Sequence, residues 1–445
     1  MDRVWRISLN AMTGALAAPV LLVVSVVAAA AQTASGFAPD LNPLFQTLLA
    51  RPSDLNNTLQ YAALAPAADI ESAISTHEQL LFYNPDLASV RFELGVLYYR
   101  LGSYEMARGY FESALKMNDM TPALRVKTEE LLATVDKKLQ PDQFTGYVQT
   151  GLRYQTNAAG GPGAQTVLAS GLLFNKRFAA QGDWNWFGAL GVNYVHDFGD
   201  QNGDAFEASA LGYDAQQFRL HQYDIGVLEL RAGPRFGIPS DFVSGLSIKP
   251  YVVATGGQLA DAPYYGNLGG GLTLHANAGT VALDPYVEIV RQSFRNLTLY
   301  PLASGMSGTL ATYGLQASGP VYGALGFQSR VLYAHADDNF NPFGFNSWAA
   351  DIWLPWNFSP LGDGRTWTLT PTAGVSTWQY KAPDPTINPT ITPNIVEWRV
   401  GLGLEMPIWK LLNFGMLVQY RADVSNIPAF SMRDFSVTAG PTVRF

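Results

Sequence analysis

Val396-Glu397-Trp398-Arg399-Val400-Gly401-Leu402-Gly403-Leu404-Glu405-Met406 alternates strictly, with an apolar residue at every even position and a charged residue or glycine at every odd one. Successive side chains of a strand point to opposite faces, so this segment reads as a strand with one apolar and one polar face. A single such strand would suit a soluble sheet. The pattern gains its meaning from repetition. Leu412, Phe414, Met416, Val418 and Tyr420 alternate with Asn413, Gly415, Gln419 and Arg421, Leu417 being the exception. Phe435, Val437, Ala439, Pro441, Val443 and Phe445 alternate with Asp434, Ser436, Thr438, Gly440, Thr442 and Arg444. Leu228, Leu230, Ala232, Pro234 and Phe236 alternate with Glu229, Arg231, Gly233 and Arg235. Long strands of this kind, recurring from Phe144 to Phe445, are the mark of an antiparallel transmembrane β-barrel.

Fourteen strands are expected, near 144–157, 165–178, 184–197, 220–236, 244–259, 265–276, 279–293, 308–318, 320–336, 345–358, 365–380, 395–408, 411–424 and 431–445. The count is even, as single-chain bacterial barrels require. Long polar or Pro-rich stretches at 197–219, 294–307, 336–344 and 381–394 read as outer loops, placing Asn202 and Thr386 outside. Asn277-Ala278-Gly279, Ser318-Gly319-Pro320 and Ser359 to Gly364 read as short inner turns. Strand phase turns Arg153, Arg231, Arg235, Arg330, Arg399, Arg421 and Arg444 toward the lumen, with Glu229, Glu288, Glu397, Glu405 and Asp434. An Arg facing lipid would cost about 2–4 kcal/mol near the bilayer midplane, which favours the inward placement. Such a lumen is either a salt-bridged wall that rigidifies a closed barrel or a polar path for a charged polymer or polypeptide. The chain ends on the aromatic Phe445, expected to be the signal read by the barrel-assembly machinery.

The segments before the barrel are of another kind. Arg3 and Arg6 precede an apolar run from Ala11 to Ala31 that closes on Ala29-Ala30-Ala31. A basic start, an apolar core and an Ala-x-Ala exit make residues 1–31 a secretory signal peptide. Residues 32–143 are expected to form a periplasmic helical domain, with helices from about Leu41 to Leu139. Leu94-Gly95-x-x-Tyr98, then Gly102, Tyr104, Ala107, Phe111 and Ala114, fits the tetratricopeptide pattern. Leu94, Tyr98 and Leu101 make one stripe on a first helix, small Ala107 admits the second helix closely, and Phe111 and Ala114 complete its buried face. Ala73 stands one repeat before Ala107, so about two repeats are expected, followed by a helix from Ala123 to Leu139. Stacked repeats of this type present surfaces to protein partners.

Composition agrees and excludes other classes. Hydrophobic residues make up 48% and charged ones only 14%, against about 25% in an ordinary soluble domain. A net charge of −8 argues against nucleic acid as a partner, because that needs a basic surface to displace counterions. The absence of cysteine excludes disulfides, thiolate zinc sites and cysteine nucleophiles. No cofactor, metal or catalytic residue is expected. His196, Asp197 and Asp200, and likewise His335, Asp337 and Asp338, mix a base with acids, but their spacing fixes no catalytic geometry. Gly269-Gly270-Gly271 lies within an expected strand and reads as a bend rather than a phosphate-binding loop.

A signal peptide, a short tetratricopeptide domain and a C-terminal barrel of fourteen strands resemble the Slam family, the surface lipoprotein assembly modulators of Gram-negative outer membranes. The resemblance rests on Leu94-Gly95-Val96-Leu97-Tyr98 through Ala114, and on Gly151-Leu152-Arg153-Tyr154-Gln155-Thr156-Asn157 in the opening strand. Gln155 stands where that family commonly has an acidic residue, and the helical part is short for the family. The resemblance implies an outer-membrane translocon or secretion modulator embedded in outer-membrane lipids, recruiting a periplasmic protein cargo through its repeats and exporting it by way of the barrel. Two alternatives stand beside it: a polysaccharide export porin, for which an arginine-rich lumen would suit an acidic polymer, and a plain porin with a docking domain.

Overall fold

The structure, a computed structural model, describes residues 70–163, 178–200, 202–240, 242–362 and 365–445. The expected signal peptide, the first part of the helical domain and nearly all of the strand expected at 165–178 lie outside the described residues. The chain divides into two compact units that meet between Gln143 and Phe144.

Four helices are described in the first unit: α1 (Ile70–Tyr83), α2 (Ala88–Arg100), α3 (Tyr104–Leu115) and α4 (Pro122–Leu139). Each packs on the next. Ala73, Ile74 and Leu80 of α1 bury against Val90, Leu94 and Leu97 of α2. Phe92 on α2 joins Ala107, Phe111 and Ala114 of α3 and Val135 of α4 in a second cluster. Gly95 is required there: a Cβ at this position would stand 2.5 Å from the Phe111 ring. Gly102, at φ 76°, reverses the chain between α2 and α3 in a conformation that costs glycine little. Thr121 caps α4 by accepting a hydrogen bond from the Leu124 amide at 3.3 Å, and Pro122 occupies the first helical position, where no donor is needed. Tyr98 and Tyr110 stack at 5.4 Å, and both hydroxyls donate to Glu78 Oε1, at 2.8 and 3.3 Å. Burial, together with that carboxylate, pushes the Tyr98 hydroxyl up to about 12.

The second unit is a closed antiparallel barrel of fourteen strands. They are β1 (Asp142–Gln155), β2 (Asp183–Asp197), β3 (Ala205–Gln217), β4 (Ile225–Gly237), β5 (Ser244–Leu259), β6 (Ala262–Ala278), β7 (Val281–Phe294), β8 (Gly308–Tyr322) and β9 (Leu325–Asp338). Next comes β10, Phe345–Trp353 resumed as Trp356–Phe358 after a break at Leu354-Pro355, with both pieces lying between the same neighbours. The last four are β11 (Trp367–Tyr380), β12 (Asn394–Pro407), β13 (Leu412–Ser425) and β14 (Met432–Arg444). Each strand pairs with the next, and β1 pairs with β14 to close the ring. Closure leaves no open sheet edge. At the seam, Gly146 and Phe445 exchange backbone hydrogen bonds at 2.9 and 3.0 Å, and the Phe445 ring lies over Gly146.

The even count agrees with the expectation, but one strand lies elsewhere. Residues 205–217, expected within an outer loop at 197–219, form β3, and the turn before it spans only 198–204. Asn202 therefore sits at the same end of the barrel as Ser359 and the chain terminus, opposite Thr386. The alternation in β3 is muted because Ala208, Ala210 and Gly212 fill its outward row, giving little apolar contrast. Pro320 lies within β8 rather than in a turn, and the reversal falls at Gly323, with φ 57°.

The outward row is apolar and exposed, with Leu152, Leu190, Leu230, Val252, Ile289, Val331, Val400 and Leu402 among its members. Aromatic rings border it at both ends. Tyr154 with Trp184 (5.1 Å) and Tyr333 with Trp348 (4.8 Å) lie toward one end, Phe144 with Tyr194 (4.7 Å) and Trp356 with Phe358 (4.9 Å) toward the other. An apolar band edged by aromatic belts is the surface that a lipid bilayer solvates.

Candidate functional site: the inner face and the mouth

The polar row lines the inside. Arg153, Glu229, Arg231, Arg235, Glu288, Arg330, Glu397, Arg399, Glu405, Arg421, Asp434 and Arg444 all belong to it by register, and all are buried or half-buried. Most are tied to one another. On one wall a continuous chain runs across β9, β10, β12 and β13: Arg330 to Asp351 (2.7 Å), Asp351 to Arg399 (2.7 Å), Arg399 to Glu397, Glu397 to Arg421 (2.7 Å), and Arg421 to Asp423 (2.8 Å). Glu397 is fully buried, so its charge is held by two guanidinium groups rather than by water. β11 lies between Asp351 and Arg399, and the residue paired with both is Gly374. A Cβ there would stand 2.3 Å from Asp351 Oδ1 and 3.1 Å from Arg399 Nη2, so glycine opens the gap through which the pair forms.

The opposite wall carries a second group. Arg231 pairs with Glu229 (2.7 Å) and Glu288 (2.9 Å) and lies over the Tyr251 ring, whose hydroxyl donates to Glu288 at 3.0 Å. Toward the end that carries the chain terminus, Glu207 accepts from Arg235 at 2.8 Å and from Lys249, and Glu405 pairs with Arg444. Asp351, Asp423, Glu207 and Lys249 are partners that the sequence reading did not single out. Asp351 was hidden because Trp348 and Trp353 put aromatics on both rows of β10, which blurs its phase. Among the described residues Arg153 is the one interior arginine without a carboxylate, and its Nε is buried with no acceptor.

Space remains along the wall made by β1, β13 and β14. One recess is lined by Gln149, Arg153, Tyr213, Glu405, Gln419 and Arg444, among others. A second lies toward the opposite end and shares Arg153, Tyr213 and Gln419 with the first.

That opposite end is covered by loops. Four of them contain a single 3₁₀ turn, at His221–Tyr223, Ala303–Met306, Asn341–Phe343 and Pro428–Phe430. Each turn drives one large apolar side chain inward: Tyr223, Met306, Phe343 and Phe430 are all buried. They join Tyr265, Phe294, Tyr300, Phe345, Trp378, Tyr380 and Ile387 in one contiguous apolar cluster. Phe178, in the β1–β2 loop, meets Tyr300, in the β7–β8 loop, at 6.2 Å. Those loops are six strands apart one way round the ring and eight the other, so this contact crosses the mouth close to its diameter. A recurring signal in the sequence marks these turns, a large apolar residue two positions before a strand: Tyr223-Asp224-Ile225, Met306-Ser307-Gly308, Phe343-Gly344-Phe345 and Phe430-Ser431-Met432.

The opening-strand motif acts at the seam of this same end. Asp434 on β14 accepts from the Asn157 amide (2.9 Å), Thr156 Oγ1 (3.1 Å) and Gln155 Nε2 (3.2 Å). Buried Asn157 also donates to the carbonyls of Gly161 (2.9 Å) and Arg433 (3.1 Å). Both His/Asp groups serve turns and strand ends. The Asp200 carboxylate accepts the Asn202 and Asp204 amides, which holds it below the usual carboxylate range. His335 contacts Asn346 (2.6 Å) and Asp337 (3.2 Å). No group of metal-ligating side chains occurs among the described residues.

No family model matches the chain, and no curated protein matches it. Solved structures similar to it include the anion-selective porin from Comamonas acidovorans, at 11% identity over 68% of this chain and 99% of that one, with a TM-score of 0.34. The outer membrane channel DcaP of Acinetobacter baumannii is 10% identical over 68% and 97%, with a TM-score of 0.36. A bacterial polysaccharide outer membrane secretin is 9% identical over 67% and 98%, with a TM-score of 0.34.

Proposed function

We propose that the chain is an outer-membrane channel, closed at rest, that exports a protein cargo recruited in the periplasm by its helical unit. The observation that carries this reading is the pairing of a polar inner face with a mouth closed by loops. The apolar band and its aromatic borders fit a bilayer, and the inner row supplies a wetted path. A ring of fourteen strands encloses more room than one layer of side chains fills. Side chains from the loops complete the closure over a rim of strand aromatics, and the loops can move without breaking strand pairing. A path of that kind suits a translocon that responds to cargo better than a constitutively open pore.

The ion pairing bears on the alternatives. Free interior arginines would have favoured an acidic polysaccharide as cargo, yet Arg231, Arg235, Arg330, Arg399, Arg421 and Arg444 are each held by a carboxylate. The tetratricopeptide reading and the Slam-like role belong to this proposal. They are supported by the buried positions of Leu94, Ala107, Phe111 and Ala114 and by the gap at Gly95. Phe445, paired across the seam with its ring exposed, is available to the barrel-assembly machinery.

Deleting residues 41–139 behind an intact signal should leave a folded, inserted barrel that no longer exports its cargo, identified by copurification from detergent-extracted membranes. Export at the full-length level would remove the helical unit from the mechanism. Cysteines test the orientation: one at Thr386 should label from outside intact cells, and ones at Asn202 or Ser359 should not. The reverse labelling would turn the barrel over.

A further inference from the structure

We infer that Arg153 is the binding point for an oxyanion, a carboxylate or phosphate group, in the interior of the barrel. Every other interior arginine has its charge answered by a carboxylate of the wall, as described above. Arg153 does not, among the described residues, and its Nε is buried with no acceptor. A buried donor left without a partner is rare and costly, and more so when it is charged. The side chain also stands where a ligand would meet it, since it lines both interior cavities.

Its surroundings favour an anion. The inner-row neighbours of Arg153 along β1 are Gly151 and Gln155, with Gln149 one position beyond Gly151, and its partner on β14 is Thr438. Gln419 and Tyr213 complete a neutral set of hydrogen-bonding groups about the shared part of the two cavities. In the cavity toward the mouth, the charged lining is Arg153, Arg399 and Arg421 against Asp434 alone. Asp434 is occupied by the Asn157 amide and by Thr156 and Gln155. Fully buried Glu397, which neutralises Arg399 and Arg421, does not line that space. The recess thus presents guanidinium groups toward its space, and one of them, that of Arg153, has no carboxylate of the wall and can make paired hydrogen bonds to two oxygens.

The inference rests on reading the inner face as the path, but its test is an equilibrium one and needs no conduction. Full-length protein in detergent, at low ionic strength, is titrated calorimetrically with inorganic phosphate and separately with succinate. Saturable binding of at least one is expected, weakened about tenfold or more in Arg153→Gln and less in Arg153→Lys, which keeps the charge but loses the fork. Arg235→Gln, in a pair away from both cavities, should bind as wild type does. Phosphate without succinate would assign the site to phosphate groups, and the converse to carboxylates. Heat-modifiable mobility on gels reports that each variant is folded, and if Arg153→Gln does not fold, the weakening in Arg153→Lys carries the comparison. No saturable binding by the folded wild type, or undiminished binding in the variants, would overturn the assignment. A protein that binds but never conducts would leave this site standing and sink the channel reading instead.

Discussion

The connections at the two ends of the barrel are built from different materials. At the end that carries the chain terminus the connections are short, as at 198–204, Gly279-Thr280, Gly323-Ala324 and 408–411, and the nearby interior is held by ion pairs such as Glu207 with Arg235 and Glu405 with Arg444. At the other end the loops at 218–224, 295–307, 339–344, 381–393 and 426–431 fold inward and bury aromatics against one another. Ion pairs fix a wall because each partner is directional, and losing one leaves a charge without its counter-ion. Apolar contacts between loops are not directional, so a lid made of them can part and reform. In the channel proposed above, the ion-paired wall is the permanent frame and the loops are the part that moves.

Substitutions can break or sharpen this contrast. Glu397→Gln should have the largest effect, because it leaves Arg399 and Arg421 facing a neutral, fully buried group. We expect a loss of about 3–5 kcal/mol in denaturant unfolding of the barrel. A loss below 1 kcal/mol would mean that the wall does not depend on its ion pairs. Gly374→Ala should follow, at about 1–3 kcal/mol, since its Cβ must push Asp351 from Arg399. The effect should shrink when Asp351→Asn is already present, a coupling that a double-mutant cycle reads. Gly95→Ala should cost a similar 1–3 kcal/mol, roughly, but in the helical unit alone, by forcing the Phe111 ring aside. Proteolysis of the helical unit with an unchanged barrel band on gels would confirm that separation. Arg235→Gln should be the smallest, about 0–1 kcal/mol, because the arginine is a third exposed, solvent screens it, and Glu207 keeps its pairing with Lys249.

Much of the frame was legible in the sequence. The alternation in Val396–Met406 predicted both the strand and its facing, since a residue's row follows from parity once one face meets lipid. The same parity placed Arg399 and Glu397 on one wall. It could not show that Asp351 joins them, because that contact reaches across an intervening strand through the gap at Gly374. β3 escaped notice because alanine and glycine in its outward row give almost no hydropathy contrast. The lid was least legible. Tyr300 and Phe343 sit in Pro- and Gly-bearing loops that read as solvent-facing, and only the ring brings Phe178 to Tyr300.

The central claim is that the loops, and not the strands, close the barrel. Single-channel recording of the purified full-length chain in planar bilayers tests it most directly, alongside a variant carrying Tyr300→Ala and Phe343→Ala. These changes remove two fully buried rings from the lid and leave every inner-wall ion pair intact. Wild type should be closed for most of the record, and the variant should open for longer or conduct more at the same voltage. A wild type that conducts steadily, with a variant indistinguishable from it, would contradict the account.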